Sequence, residues 1–141
     1  MRIRPASIED AALLAPLCEQ LGYPTTAEQI VARLRSILRS RTQAVFVAEA
    51  GGRIAGWIHV HESLTVESGP DAEIGGLVVD ETARRQGIGR ALVAEARRWA
   101  RESGYDSIVV RSNVVRREAH PFYEGLGFRR AKTAHVYVRD P

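Results

Sequence analysis

Among its 141 residues the sequence has one cysteine, Cys18, and one lysine, Lys132. A lone thiol cannot build a disulfide framework, and Cys18 falls in an apolar helical pattern that reads as burial rather than reactivity. No His, Cys and Asp spacing matches a metal site. No apolar run reaches the length of a bilayer span, and the N-terminus has no charged-then-apolar leader. The expectation is a cytoplasmic protein with no membrane partner. Positive charge is almost all arginine, yet the formal net charge is only +3. That favours an anionic small ligand. It does not support a nucleic-acid partner, because the arginines gather at one glycine turn instead of along a helix with interleaved aromatics. What the chain does have is an ordinary globular balance, 45% hydrophobic and 26% charged, enough for the core of one domain over residues 1–141.

The hydrophobic period changes along the chain. Arg2 to Arg4 reads as a short strand. Ser7, with Asp10 three residues on, opens a helix with the apolar stripe Ile8, Leu13, Leu14, Leu17 and Leu21. Thr26 followed by Gln29 caps a second helix, with Ile30, Val31, Leu34, Ile37 and Leu38 expected inside. Strands follow at 44–49 and 53–61, joined by Gly51-Gly52 as a two-residue hairpin turn. A polar loop at 62–71 leads to a third strand of this set at 72–79, whose apolar character predicts a central place. A glycine-rich turn at 84–89 enters a long helix lined by Ile88, Leu92, Val93, Ala96, Trp99 and Ala100. A strand at 107–111, a helix at 117–126 and a last strand at 131–138 complete the order. Hairpins come first and crossovers later, so the fold class is α/β (α+β) with a mixed sheet flanked by helices.

The most informative segment is Leu77-Val78-Val79-Asp80-Glu81-Thr82-Ala83-Arg84-Arg85-Gln86-Gly87-Ile88-Gly89-Arg90. A buried strand runs through a loop into an amphipathic helix whose start holds two glycines. A helix start leaves backbone N–H groups without partners and carries partial positive charge. With no side chain at Gly87 or Gly89, a phosphate can approach those groups. Arg84, Arg85 and Arg90 add charge suited to a pyrophosphate. The plainer alternative is a tight strand-to-helix turn with no ligand. A P-loop is excluded because no Gly-Lys-Ser/Thr is present, and the dinucleotide fingerprint is excluded because Leu92 stands where its third glycine would be.

Arg84-x-x-Gly87-x-Gly89 resembles the Q/R-x-x-G-x-G/A signature of the GNAT N-acetyltransferases. The surrounding "GGLVVDETARRQGIGRALV" and the later "SNVVRREAHPFYEGLGF" resemble the family at its usual separation, and the order of elements is similar along essentially the whole chain. The resemblance implies a centrally splayed sheet and acetyl-coenzyme A as acyl donor, with no metal. Backbone N–H groups of Arg85, Gln86, Gly87, Ile88, Gly89 and Arg90 would hold the pyrophosphate beside Arg84. The strand at Leu77, Val78 and Val79 would offer its backbone to the pantetheine arm as if to an added strand. Asn113 matches the family asparagine that bonds the pantetheine amides, although an ordinary turn asparagine fits the same position.

Acetyl transfer needs a neutral amine, a donor for the carbonyl oxygen as it gains charge, and a proton for the departing thiolate. Glu73, alone in an apolar strand, stands where many family members carry a glutamate, and would be the general base, acting through water. The alternative puts it on the solvent face, with Glu67 and Asp71 in reserve. The N–H of Leu77 is the expected oxyanion donor. Tyr123, in "HPFYEGLGF", matches the family tyrosine that faces the coenzyme sulfur, and would be the general acid. Its neighbours Phe122 and Phe128 read as aromatic anchors, and His120 as a residue of the helix surface or cofactor edge. Trp57, His59 and His61 alternate on one strand face. They read more readily as half-buried sheet surface than as an acceptor pocket rimmed by Glu62.

The function expected is therefore N-acetylation of an amine on a small molecule or peptide. The acidic residues Glu62, Glu67 and Asp71 would suit a cationic acceptor such as an aminoglycoside, a polyamine, an amino acid or a peptide amine. The alternative is a coenzyme A sensor without turnover. Many members of the family pair as homodimers, and nothing in the sequence decides for or against it.

Overall fold

The computed structural model describes residues 1–112 and 117–141. The chain divides into two compact units, 1–110 and 111–141. In the first, β1 (Arg2–Pro5) leads through a 3-10 turn at Ile8–Asp10 into α1 (Ala11–Leu21). Ser7 and Asp10 open this helix as expected: the Ser7 N–H donates to Asp10 Oδ2 over 2.8 Å. In α2 (Ala27–Arg39), Thr26 Oγ1 accepts from the Gln29 N–H at 3.2 Å while Gln29 Oε1 accepts from the Thr26 N–H at 3.0 Å. That reciprocal pair satisfies two donors of the helix start.

Next come β2 (Gln43–Ala50), β3 (Arg53–Ser63) and β4 (Asp71–Val79). Gly51 and Gly52 both have positive φ, 57° and 74°, which matches the twist of a two-residue hairpin turn. A long helix, α3 (Ile88–Glu102), crosses to β5 (Ile108–Val110). The sheet order is β1-β2-β3-β4-β5, antiparallel through β4 and parallel between β4 and β5, so it is mixed. β4 is interior as expected, but it is fourth of the five strands rather than the middle one.

Alternation assigns the two faces. Val45 and Val47 of β2 and Val78 of β4 pack with Leu14 and Leu17 of α1 and Ile30 and Leu34 of α2, and Trp57 of β3 leans on this cluster. Ile58 and Val60, between Trp57 and His61, point to the other face and are fully buried. There Ile88 and Leu92 of α3 close over Gly56, whose missing side chain lets the helix in: a β-carbon would lie 3.2 Å from Leu92 Cδ1 and 2.7 Å from the Val78 carbonyl.

The second unit holds α4 (Ala119–Gly125), shorter than expected. The strand expected at 131–138 does not form. Residues 129–141 carry no regular structure, and Val136, Tyr137 and Val138 are each about nine-tenths exposed (89%, 89% and 91%). Alternating apolar residues make a strand only where a neighbouring strand takes up their N–H and C=O groups. No ladder is formed by this segment among the described residues.

Candidate active site

β4 meets β5 over only three pairs, Ala72 with Ile108, Glu73 with Val109 and Ile74 with Val110. β4 then runs five residues further with only β3 paired to it among the described residues. A register shift marks the fork: Ile74 pairs with Val60, but Gly76 pairs with His59, so Gly75 is an extra residue in β4. Such a bulge reverses which backbone groups face which neighbour. Before it, Ala72 donates its N–H to the Ser107 carbonyl at 3.0 Å, towards β5. After it, Asp80 donates to the Ala55 carbonyl at 2.8 Å, towards β3. By alternation the peptide groups of Leu77 and Val79 turn to the side that β5 has left.

The glycine turn follows at once. Asp80 Oδ1 accepts from the Thr82 N–H and Oγ1, both at 2.9 Å, and this opens a 3-10 turn at Glu81–Ala83. These bonds, the backbone one foremost, hold the Asp80 carboxyl below its ordinary pKa. Gln20 Oε1 accepts from the Glu81 N–H at 3.0 Å and ties the loop to α1. Arg85 has a φ of 62° and Gly87 of 79°, so the chain turns twice through the left-handed region just before α3. Gly87 is the N-cap, and no side chain caps the helix. A β-carbon on Gly87 would meet nothing within 4 Å, so the approach to the uncapped N–H groups is open. Arg84, Arg85, Gln86 and Arg90 are exposed around it, Gly89 is half-buried, and the buried Ile88 anchors the helix start beneath.

Glu73 sits at the fork, one residue before the last β4–β5 pair. Its side chain is only 16% exposed, with Oε2 lying 3.4 Å from His61 Nε2. Glu73 stands opposite His61 in the register, its side chain partly covered rather than open to solvent. His61 Nδ1 lies 2.9 Å from the Glu62 carbonyl. His59 Nε2 lies 2.8 Å from Gln43 Oε1. Burial first, and the neighbouring His61 second, push the His59 pKa down to about 4, so this ring is neutral near pH 7.

Gly75 and Gly76 make room for the whole row. A β-carbon on Gly75 would lie 3.2 Å from His61 Nε2 and 3.3 Å from His59 Nδ1. Beyond His59 is a cavity of about 160 Å³ between sheet and helices, lined by Leu14, Cys18, Arg33, Leu34, Trp57 and His59 among others. The row is half-buried, as read from the sequence, but it also borders this cavity. Sequence reading missed the Glu73–His61 contact and the part played by Gly75-Gly76. The available signal was His-x-His in one strand facing a Glu-x-Gly-Gly in the next.

The acetyltransferase (GNAT) family matches residues 11–128, most of the chain. The chain belongs to this family. As a GNAT protein it is an N-acetyltransferase whose acyl donor is acetyl-coenzyme A. An aminoglycoside N(6')-acetyltransferase type 1 of Stenotrophomonas maltophilia is 32% identical over 99% of this chain and 92% of its own length. The GNAT fold is also shared with AAC(6')-Iy in complex with a bisubstrate analogue, CoA-S-monomethyl-acetylneamine. That match has a TM-score of 0.87 and 20% identity, and covers 99% of this chain and 98% of the other. A transcriptional regulator from Bacillus halodurans C-125 matches with a TM-score of 0.85 and 26% identity over 98% of this chain and 99% of its own.

The residues of this GNAT chain suit a pyrophosphate-bearing donor on two structural counts: an uncapped helix start with open space over Gly87, and a strand edge at Leu77 and Val79. In the second unit, Tyr123 is half-buried in α4, with its ring edge-on to Phe122 and Phe128 at centroid distances of 5.1 and 5.7 Å. Phe122 and Phe128 are half-buried anchors within that unit. Asn113 lies outside the described residues. Of the reserve carboxylates, Glu67 is exposed in the β3–β4 loop. Asp71 is engaged by the hydroxyls of Ser68 and Ser107, and so helps join β4 to β5.

Proposed function

We propose that this enzyme transfers the acetyl group directly to a primary amine of a small cationic acceptor of the aminoglycoside kind, with Glu73 as general base and Tyr123 as general acid. The observation that carries the reading is the position of Glu73. It is a largely covered carboxylate at the fork where β5 leaves β4, beside the edge that exposes the Leu77 and Val79 backbone. The N–H groups of Arg85 through Arg90 and the guanidinium of Arg84 hold the pyrophosphate in this reading. Leu77, Val78 and Val79 line the pantetheine arm, with Asn113 bonding its amides. Acetyl-CoA, when bound, supplies an activated thioester. Glu73 accepts the amine proton through a water. The Leu77 N–H donates to the carbonyl oxygen as it gains charge, a contribution typically worth about 3 kcal/mol of barrier. Tyr123 donates its hydroxyl proton to the departing sulfur.

The similarity to an aminoglycoside acetyltransferase over nearly both full lengths supports the acceptor class, as do Glu62, Glu67 and Asp71 at the β3–β4 end. The cavity beside His59 favours a second reading. Its walls are mainly apolar and its one charged lining residue is Arg33, which suits an amine with an apolar body rather than a polycation. Thiol release from acetyl-CoA across a panel of aminoglycosides, polyamines and apolar primary amines tests both. The leading reading predicts that aminoglycosides give the highest kcat/KM and that Glu73→Gln loses most of it. Preference for apolar amines would move the conclusion to the second reading, and no turnover on any amine would end both.

A further inference from the structure

We infer that His61 and Glu73 act as one proton-holding pair, in which His61 takes the amine proton on from Glu73 and releases it to solvent. The inference rests on the reading of Glu73 as the base. It starts from the tautomer. A carbonyl oxygen only accepts, so the 2.9 Å contact with the Glu62 carbonyl fixes a proton on His61 Nδ1. In the neutral ring Nε2 then carries a lone pair. Glu73 Oε2 lies 3.4 Å from that nitrogen, and a carboxylate also offers only lone pairs. The contact is attractive only when a proton lies between them, on one partner or the other.

The surroundings fit a transfer of this kind. His61 is 27% exposed and Glu73 16%, so the imidazole is the more open of the two. Gly75, at the bulge, puts no side chain beside Nε2. From the same strand His59 faces His61, its ring centroid 5.4 Å away, and stays neutral, with Nε2 donating to Gln43 on β2. From β2 the residue opposite His61 is that same uncharged Gln43. Among the described residues, β4 brings Glu73 opposite His61 and Asp71 two residues before it on the same face, and from α2 Arg33 lies at the cavity on the His59 side.

The step balances. The amine nitrogen's lone pair forms the new N–C bond, and the C–S electron pair leaves with sulfur. The proton on nitrogen passes through water to Glu73, then to His61 Nε2, and from the imidazolium to bulk water. Sulfur takes the Tyr123 proton, which solvent restores. His61 is thus a positioning and relay residue that acts through Glu73.

The test compares kcat and KM across pH for wild type, His61→Gln, His61→Ala and Glu73→Gln, with thermal melts as a check on folding. His61→Gln should lower kcat on the order of a hundredfold, leave KM for acetyl-CoA unchanged, and move the acid limb of the pH profile. Added imidazole should restore activity to His61→Ala. A wild-type plateau and acid limb in His61→Gln, or no rescue in a folded His61→Ala, overturns the relay. If that happens while Glu73→Gln is slow, Glu73 still stands as the base. Full activity in Glu73→Gln removes the base reading and this inference with it.

Discussion

Gly76 lies close against the indole of Trp57: a β-carbon there would come within 2.8 Å of Cη2 and Cζ3. Trp57 cannot easily swing away, because it also packs on the α1/α2 cluster. Gly76→Ala must therefore push the ring or the strand, and overpacking of this sort costs about 1–3 kcal/mol. A lowered melting temperature with altered tryptophan fluorescence is expected. An unshifted melt would mean the strand yields without cost.

Arg4 ties β1 to the start of α1. Its Nη1 and Nη2 each lie 2.9 Å from an oxygen of Asp10, and its Nε lies 2.6 Å from Glu49. Asp10 is 5% exposed, and its pKa is held low chiefly by the Arg4 hydrogen bonds, against the cost of burial. A depressed carboxylate contributes stability that is present above its unfolded pKa, about 4, and is lost as pH falls through its folded value. Arg4→Met leaves that carboxylate buried without its charged partner, with only the Ser7 hydrogen bonds left, and should cost about 3–5 kcal/mol near neutral pH. In acid, where Asp10 is protonated in both proteins, the difference should shrink. Denaturant melts at the two pH values check it, and an equal penalty at both would refute the pairing as its source.

The helices and the hairpin were legible because their signals are local. Thr26 and Gln29 cap within one turn, α3 repeats its apolar face every three or four residues, and Gly51-Gly52 needs only its own backbone. The fork was not legible. Gly75 becomes a bulge only when Ile74 and Gly76 are matched to Val60 and His59 on another strand, and nothing next to Gly75 in sequence shows that register. The same register brings His61 to Glu73. The alternation at 131–138 misled for the opposite reason. It is a correct local pattern for a strand, but without a ladder it forms none.

Gly87 and Gly104 flank α3 and offer a controlled comparison. Both have left-handed backbones, φ 79° and 86°, and a β-carbon at either would meet nothing within 4 Å. Alanine at each should therefore cost the same backbone strain, about 1–2 kcal/mol. Only Gly87 borders the uncapped helix start. Gly87→Ala should raise KM for acetyl-CoA severalfold while Gly104→Ala leaves it unchanged. Equal KM values in the two variants would argue against phosphate binding at this turn.

Tyr123 separates packing from chemistry. Its ring packs edge-on against Phe122 and Phe128, and Tyr123→Phe keeps the ring while removing the hydroxyl. If the hydroxyl serves as the acid, kcat should fall on the order of a hundredfold with little change in melting temperature. Phe122→Leu should do the reverse, lowering stability through lost ring contacts while leaving the pH profile in place. Paired melts and kcat–pH profiles distinguish the two. A Tyr123→Phe enzyme with wild-type kcat would confine this tyrosine to packing and leave the sulfur to be protonated by water.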